Sequence, residues 1–505
     1  MTPDQAVEYA FTSTGKAMIF TMTVMCFGFT VLSFSSFGVN ATLGSLTLIT
    51  FGFALLSDFL ILAPLLLICD RELSLFAWHP TRRISGVTEN EPLRARVDAY
   101  FERMEKDGGH LVAGEAPGPG AVQLWSNDYL GLGGHPEIVK AQADVLGEHD
   151  EGVFMSAVYL HETSLQRQFE REMAAFLDAE ATVLCQSGWS ANTGLVQALV
   201  DERTPVYLDQ YAHASLWDGA RMARAKAHPF RHNDPAHLER MIKRYGAGLI
   251  LVDSIYSAFG TVCPLEAIVA VAEREGCMLV VDESHAVGVC GREGQGLVHK
   301  LGLTDRVHYR TLSLSKAFAT RAGMVAGPSR VMTYFPYEAK PAIFSSAVLL
   351  HEIAGLSATL KVIKEEGWRR DQLWRNTAYL RQGLLRLGYA VDQTDTQIIA
   401  LQSGTDGQTR ALREALEERG VFGAVFCAPA TPKNHGIIRL SVNARLTVGE
   451  MDRVLDACAA IARERAIVPW PEDLLTNYVA AHQAPRGNDA FAWGGFARPV
   501  PSAGS

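Results

Sequence analysis

The sequence has no basic excess to offer a polyanion. Its 46 lysines and arginines stand against 55 aspartates and glutamates, a formal charge of −9. Binding to nucleic acid needs a surplus of Lys and Arg to neutralise phosphates, so that class of partner is excluded. Paired cysteines are also lacking. The eight cysteines (Cys26, Cys69, Cys185, Cys263, Cys277, Cys290, Cys427 and Cys458) are scattered, form no CxxC pair, and several lie in apolar runs. That pattern excludes a disulfide framework and a metal knuckle, and reads as free thiols in a reducing compartment. No metal site is expected, and no internal repeat is evident. Charge itself is missing from Ala17 to Ser57.

That uncharged stretch holds two apolar runs, Ala17 to Phe37 and about Leu46 to Cys69, separated by Gly38-Val-Asn-Ala-Thr-Leu-Gly44. The first is long enough to cross a hydrocarbon core of roughly 30 Å. The length and the pairing of the runs do not fit a cleaved signal peptide. A buried hairpin of a soluble protein and a transmembrane hairpin both suit the pattern, and the second is the expectation. Lys16 precedes the first run; Arg71, Arg82 and Arg83 follow the second; the connector has neither Lys nor Arg. Positive flanks stay inside. The hairpin is therefore expected in the inner membrane, with everything after it facing the cytoplasm. Asp58, in the second run, is either an ion-path residue or a carboxyl packed against the neighbouring helix.

Residues 1–72 resemble the last two membrane helices of the RND/MMPL exporters. The likeness lies in Thr14-Gly-Lys-Ala-Met-Ile, Gly28-Phe-Thr-Val-Leu-Ser-Phe-Ser-Ser-Phe37 and Ala54 through Leu67. Such exporters need many more helices, so the resemblance implies an anchor rather than a transporter. A non-catalytic membrane protein derived from an exporter is the alternative to an enzyme.

The composition changes after the hairpin. Residues 73–120 form a connector in which Glu89 to Met104 has the spacing of an amphipathic helix, capped around Asn90 and Glu91 and ended by Gly108-Gly109. Leu124-Trp-Ser-Asn127 is expected to be a short strand breaking into a turn. From about 136 to 330, helical patterns alternate with apolar strands: Ala181–Cys185, Val206–Asp209, Leu249–Asp253, Met278–Asp282, Val307–Ser313 and Met324–Gly327. Alternation of this kind predicts an α/β fold with a mostly parallel sheet covered on both faces. Residues 121–350 make the large domain. Residues 351–467 make a smaller α+β domain with strands at Ile398–Leu401 and Ile437–Val442 and helices at Arg410–Arg419 and Val448–Arg463. Residues 468–505, rich in Pro and Gly, are expected to be a loosely ordered tail.

Ligands of such folds bind beyond the carboxyl ends of the strands. Polar residues recur there: Ser187, His213, Asp253, Ser257, Asp282, His285, Ser313 and Lys316. A lysine among small residues, as in Thr311-Leu-Ser-Leu-Ser-Lys316, can form a Schiff base with a carbonyl cofactor. An acid ending the most apolar strand, Asp282, could pair with a protonated pyridine nitrogen, or could serve as a helix cap. His213 could stack on a ring; His285 and Ser257 could reach a ring hydroxyl. Ser187-Gly188-Trp189 precedes a helix and offers either a phosphate seat or an ordinary turn. Arg439, in an apolar strand, suits a substrate carboxylate or a structural salt bridge.

Together these pieces carry a second resemblance. The segments Asn127-Asp-Tyr-Leu-Gly-Leu132, Gln186-Ser-Gly-Trp-Ser-Ala-Asn192, Asp209-Gln-Tyr-Ala-His213-Ala-Ser215, Asp282-Glu-Ser-His285 and Ser313-Leu-Ser-Lys316 resemble the α-oxoamine synthases, which are fold-type I enzymes using pyridoxal 5′-phosphate (PLP). Within that family the likeness is nearest to the CqsA-type autoinducer synthases, through Val252-Asp-Ser-Ile-Tyr-Ser257, Pro341-Ala-Ile-Phe-Ser-Ser346 and Gly423 to Pro432. The resemblance implies a PLP-dependent acyltransferase joining a fatty acyl-CoA to S-adenosylmethionine or a 2-amino acid, giving an α-aminoketone. A serine-using sphingoid-base synthase is the enzymatic rival. Lys316 would carry the cofactor, Asp282 would pair with its ring nitrogen, and His213 would stack on the ring. His285 and Ser257 would lie near the ring hydroxyl. Ser187, Gly188, Trp189 and Ser313 would hold the phosphate. Ser346 would reach the phosphate of a neighbouring subunit, implying a homodimer. Asn127 and Arg439 would face the amino substrate. Three departures bear on the substrates: few glycines near Gly152 to Leu160, Ser284 where the family has alanine, and Arg321-Ala-Gly323 after the lysine.

Overall fold

The structure, a computed structural model, describes residues 91–106, 109–147, 155–391, 394 and 396–464. The expected hairpin (1–72), the helix cap at Asn90 and the tail (468–505) lie outside the described residues, as does part of the segment near Gly152. Among the described residues no helix is long and apolar enough to cross a membrane. The chain divides into Met1–Glu102 and Arg103–Ser505. The helix expected in the connector is present as Glu91–Lys106, and Leu93, Val97 and Phe101 on it are exposed.

In the second unit a seven-stranded sheet is built from β2 (Ala181–Cys185), β3 (Pro205–Asp209), β4 (Lys226–Phe230), β5 (Leu249–Asp253), β6 (Met278–Asp282), β7 (Tyr309–Ser313) and β8 (Gly323–Gly327). Its order is β2-β8-β7-β6-β5-β3-β4. β3 to β7 pair in parallel, and β8 runs antiparallel to both neighbours. The central strands β5 and β6 read as apolar runs up to their last residue because helices cover both faces; β5 and β7 are buried along their whole length. The parallel sheet expected from alternation is therefore present with one reversed strand. That strand follows β7 after only residues 314–322, too few for the crossover a parallel pair needs. Thr320 N donates to Leu314 O and Leu314 N to Ala322 O, closing a tight turn around Lys316.

β4 was not foreseen from sequence. It contains Pro229 and lies at the sheet edge, where a missing N–H leaves no ladder bond broken. The strand expected from Leu124 instead begins earlier: β1 is Val122–Gln123 and pairs in parallel with β10 (Val421–Phe422). Leu124 continues the contact, donating to Phe422 O and accepting from Ser441 N, both at 2.7 Å. A three-stranded antiparallel sheet, β11 (Ala424–Phe426), β12 (Gly436–Ser441) and β9 (Ile398–Gly404), follows the expected C-terminal strands. The expected helices are observed at Asp406–Glu417 and Val448–Glu464.

Behind β6 a buried ion pair braces the loop that carries the acid and histidine. Arg310 Nε donates to Glu283 Oε2 at 2.6 Å, and Glu283 Oε1 accepts from the N–H groups of Leu297 (2.6 Å) and Val298 (2.9 Å). Every carboxylate oxygen is thus met, the condition under which a buried pair is tolerated.

Candidate active site

The polar strand ends converge because parallel strands all end on the same side of the sheet. Asp282, the last residue of β6, is buried. Its Oδ2 accepts from Asn192 Nδ2 at 2.6 Å and its Oδ1 from Ser284 N at 2.8 Å. Both partners are neutral groups, which leaves the charge of the acid available to a ligand cation. Asn192 also donates to Ser215 Oγ at 2.8 Å, and Ser215 Oγ lies 2.7 Å from His213 Nδ1. The acid and the histidine expected to hold the two sides of one ring are thus joined through Asn192 and Ser215.

His213 caps the helix Ala214–Met222, and its backbone N–H donates to Asp253 Oδ1 at 3.1 Å. Burial lowers its pKa, with Asp282 opposing the shift. The Trp189 ring meets it edge-on, with centroids 5.9 Å apart.

The helix Gly188–Leu199 starts directly after β2. Ser187 caps it, its Oγ accepting from Ser190 N at 3.1 Å. The approach to this helix start is too close for side chains. A Cβ on Gly188 would fall 2.6 Å from Ser313 Cβ, and one on Gly323 would fall 2.1 Å from Ser187 O. Two glycines therefore bring the ends of β2, β7 and β8 against one helix N-terminus, whose free N–H groups suit a phosphate. Ser313 adds a hydroxyl 2.8 Å from Ser315 Oγ, and its own N–H donates to Ser284 Oγ at 2.8 Å. Ser284, the residue that departs from the family pattern, thus ties Asp282 to Ser313.

Lys316 lies in the turn between β7 and β8. Burial pushes its amine below the ordinary lysine value; Asp282 pulls in the opposite direction, and Arg439 adds to the depression. His285 follows Asp282 on the same loop, buried, with Nδ1 2.7 Å from the Tyr129 hydroxyl and its carbonyl accepting from Gln397 Nε2 at 2.8 Å. Burial, then Lys316 and Arg439, hold its pKa well below the usual histidine range. Burial pushes the Tyr129 phenol up to about 12.

Arg439 sits in mid-strand on β12, 4% exposed. Nη1 donates to Ser257 O at 2.8 Å, Nη2 to Asn127 Oδ1 at 2.9 Å, and the guanidinium stacks over Phe426 at 4.7 Å. Among the described residues its buried Nε has no hydrogen-bond partner. These partners are a carbonyl, an amide and a ring, so the structural salt bridge weighed from sequence is not what holds it. Ser257 contributes its carbonyl to Arg439. Ser346 is exposed, and its carbonyl accepts from Gln186 Nε2.

Tyr129, Asn192, Ser215, Ser284 and Gln397 were not assigned roles from sequence. Four of them sit inside motifs already singled out; Gln397 carries no local signal, because its contact is made only by folding.

The donor set fits PLP. There is a buried acid with neutral partners for the ring nitrogen, a glycine-lined helix start for the phosphate, and a partly buried lysine for the aldehyde.

Comparison with known proteins agrees. The family model for aminotransferase class I and II matches residues 119–458. A CAI-1 autoinducer synthase from Vibrio campbellii is 45% identical over 369 residues, covering 72% of this chain and 94% of that protein. An 8-amino-7-oxononanoate synthase from Symbiobacterium thermophilum is 32% identical, covering 69% of this chain and 90% of that one. Among solved structures, a serine palmitoyltransferase with PLP superposes with a TM-score of 0.69 at 23% identity, over 74% of this chain and 100% of that one, a likeness of fold. With a family match over most of its length and a strand-end site that suits the cofactor, this chain belongs to the aminotransferase class I and II family as a PLP-dependent acyltransferase of the α-oxoamine synthase type.

Proposed function

We propose that this enzyme joins the α-carbon of an amino donor to the acyl carbon of a fatty acyl-CoA, releasing CoA and then CO2 from the donor's carboxylate, and giving an α-aminoketone used as a signal. The donor is S-adenosylmethionine or a small 2-amino acid. The observation that carries the reading is Arg439: a buried guanidinium that, among the described residues, has an Nε without a partner and hydrogen bonds only to a carbonyl and an amide oxygen, and whose charge acts on Lys316. An amino acid brings the carboxylate this cation lacks. The 45% identity to a CAI-1 autoinducer synthase supports a signalling aminoketone as product.

Bound PLP supplies an electron sink for negative charge developing at the donor's α-carbon. The chain's own residues do the rest. Lys316, its amine depressed by burial, takes the α-proton, and it returns a proton to the α-carbon after the new carbon–carbon bond has formed, CoA has left and the donor's carboxylate has departed as CO2. Asp282 would hold a proton on the ring nitrogen by charge pairing. His213, its pKa lowered by burial, would lie against the ring. Ser187, Gly188 and Ser313 would seat the phosphate, and Asn127 and Arg439 would orient the donor carboxylate.

Mass spectrometry of products from a panel of acyl-CoAs and amino donors tests the substrate assignment. Acyl transfer to S-adenosylmethionine or a short 2-amino acid supports it; turnover of serine alone would favour a sphingoid-base synthase. The purified protein should be yellow, and Lys316→Ala should lose that colour in its native form.

The reading extends to location and assembly. The uncharged runs and their positive flanks support a hairpin anchor in the inner membrane with the catalytic part in the cytoplasm. Alkaline washing of membranes should leave the full chain bound and release a chain lacking residues 1–72. A homodimer, with Ser346 facing the partner's phosphate seat, is tested by light scattering of the full chain in detergent together with PLP retention in Ser346→Ala.

A further inference from the structure

Asp253 ends β5 as Asp282 ends β6, and the two are register partners on neighbouring parallel strands. Both are buried, 2% and 4% exposed. Their partners are unequal. Asp282 accepts from a side-chain amide on one oxygen and a backbone N–H on the other, at 2.6 and 2.8 Å. Asp253 accepts the longer bond from His213 N, at 3.1 Å. Asp282, Asp209 at the end of β3, and Lys316 are the charged groups that act on it. Two buried carboxyls on adjacent strand ends repel when both are ionised, so one retains a proton, and hydrogen bonds to the charged form decide which one ionises.

We propose that Asp253 is a proton-holding positioning residue: its neutral carboxyl fixes the backbone of His213 and leaves the negative charge of the strand-end pair on Asp282 alone. Burial and the Asp282 charge both push Asp253 upward, while the bond from His213 opposes them. The consequence is a single negative charge at the place where the cofactor's ring nitrogen requires one. A second, mobile charge beside it would pair with Lys316 and compete for the proton that the lysine handles.

The test is infrared spectroscopy of the full chain labelled with ¹³C-carboxyl aspartate, at about pH 8, well above the ordinary carboxylate range. A protonated-carboxyl band in the wild type that disappears in Asp253→Asn is the expected result. A wild type without the band, or a band that persists in Asp253→Asn, overturns the proposal. This readout needs no turnover and stands whatever the substrates prove to be. The second readout is the pH midpoint of the visible band of the PLP-loaded protein. It should be unmoved in Asp253→Asn, where one neutral group replaces another, and moved in Asp282→Asn. A midpoint shifted equally in both variants overturns the proposal. So does an Asp253→Asn chain that fails to fold, because the carboxamide keeps the acceptor oxygen that His213 uses.

Discussion

Arg439 Nη2 donates to Asn127 Oδ1 at 2.9 Å, joining residues 312 positions apart and setting a strand of the C-terminal sheet against the loop that follows β1. The same guanidinium reaches Ser257 O at 2.8 Å, so it is aimed from two sides before any substrate arrives. Lysine cannot reproduce that fork. Arg439→Lys should lower kcat/KM for the amino donor by about 100-fold, on the order of 2–3 kcal/mol for a lost charge-assisted hydrogen bond. The KM for acyl-CoA should change little. Steady-state kinetics with each substrate varied in turn checks both.

Asn192 is the amide that binds Asp282 and Ser215 together. Asn192→Ala removes a donor from the buried acid and should weaken PLP retention roughly tenfold, about 1–2 kcal/mol. Asn192→Asp should be worse, since it sets a second carboxyl beside Asp282. Equilibrium dialysis followed by the visible band measures both variants.

Gly323 has no room for a methyl group: its Cβ would lie 2.1 Å from Ser187 O and 2.5 Å from Gly188 N, both backbone atoms. Gly323→Ala should destabilise the fold by about 1–3 kcal/mol, as overpacking does, and reduce PLP binding by moving the phosphate seat. Gly449→Ala, where no atom of the described residues would lie within 4 Å of the new methyl group, should change stability by ~1 kcal/mol or less, in alanine's favour. Chemical denaturation with and without PLP separates the two effects.

His285 is held neutral, its pKa well below the usual value because of burial and the nearby Lys316 and Arg439. The unfolded chain takes up a proton at this residue near pH ~6.5, and the folded chain does not. Stability should therefore be full above that pH and fall as the solution is acidified below it. His285→Gln, which cannot charge, should flatten this dependence. Urea midpoints for both proteins at about pH 8 and about pH 5.5 supply the comparison.

Much of this site was legible in the chain because its chemistry is local. Asp282 and His285 follow the apolar run of β6, and a run flanked by helices announces a strand whose end carries the polar residue; Lys316 follows the mixed strand β7 and stands out as a lysine among small residues. Ser187-Gly188 announces a helix start in the same way. The elements that were missed or displaced lack such signals. β4 carries a proline and a polar composition that only an edge position permits. β8 has a strand's composition, but its reversal depends on the length of the turn around Lys316. β1 is two residues long and exists because β10, almost 300 positions later, supplies its partner.

The amino-acid sequence by itself determined the alternation of strands and helices, the family, and the candidate residues at the strand ends, because periodicity, apolar runs and short motifs are properties of neighbouring residues. Only the tertiary structure decided what those residues are for one another. It took folding to place Asn192 between Asp282 and Ser215, to seat Arg439 on Asn127 and Ser257, and to set Asp253 beside Asp282. These are contacts between segments far apart in the chain, fixed by strand order and register, which local sequence does not encode.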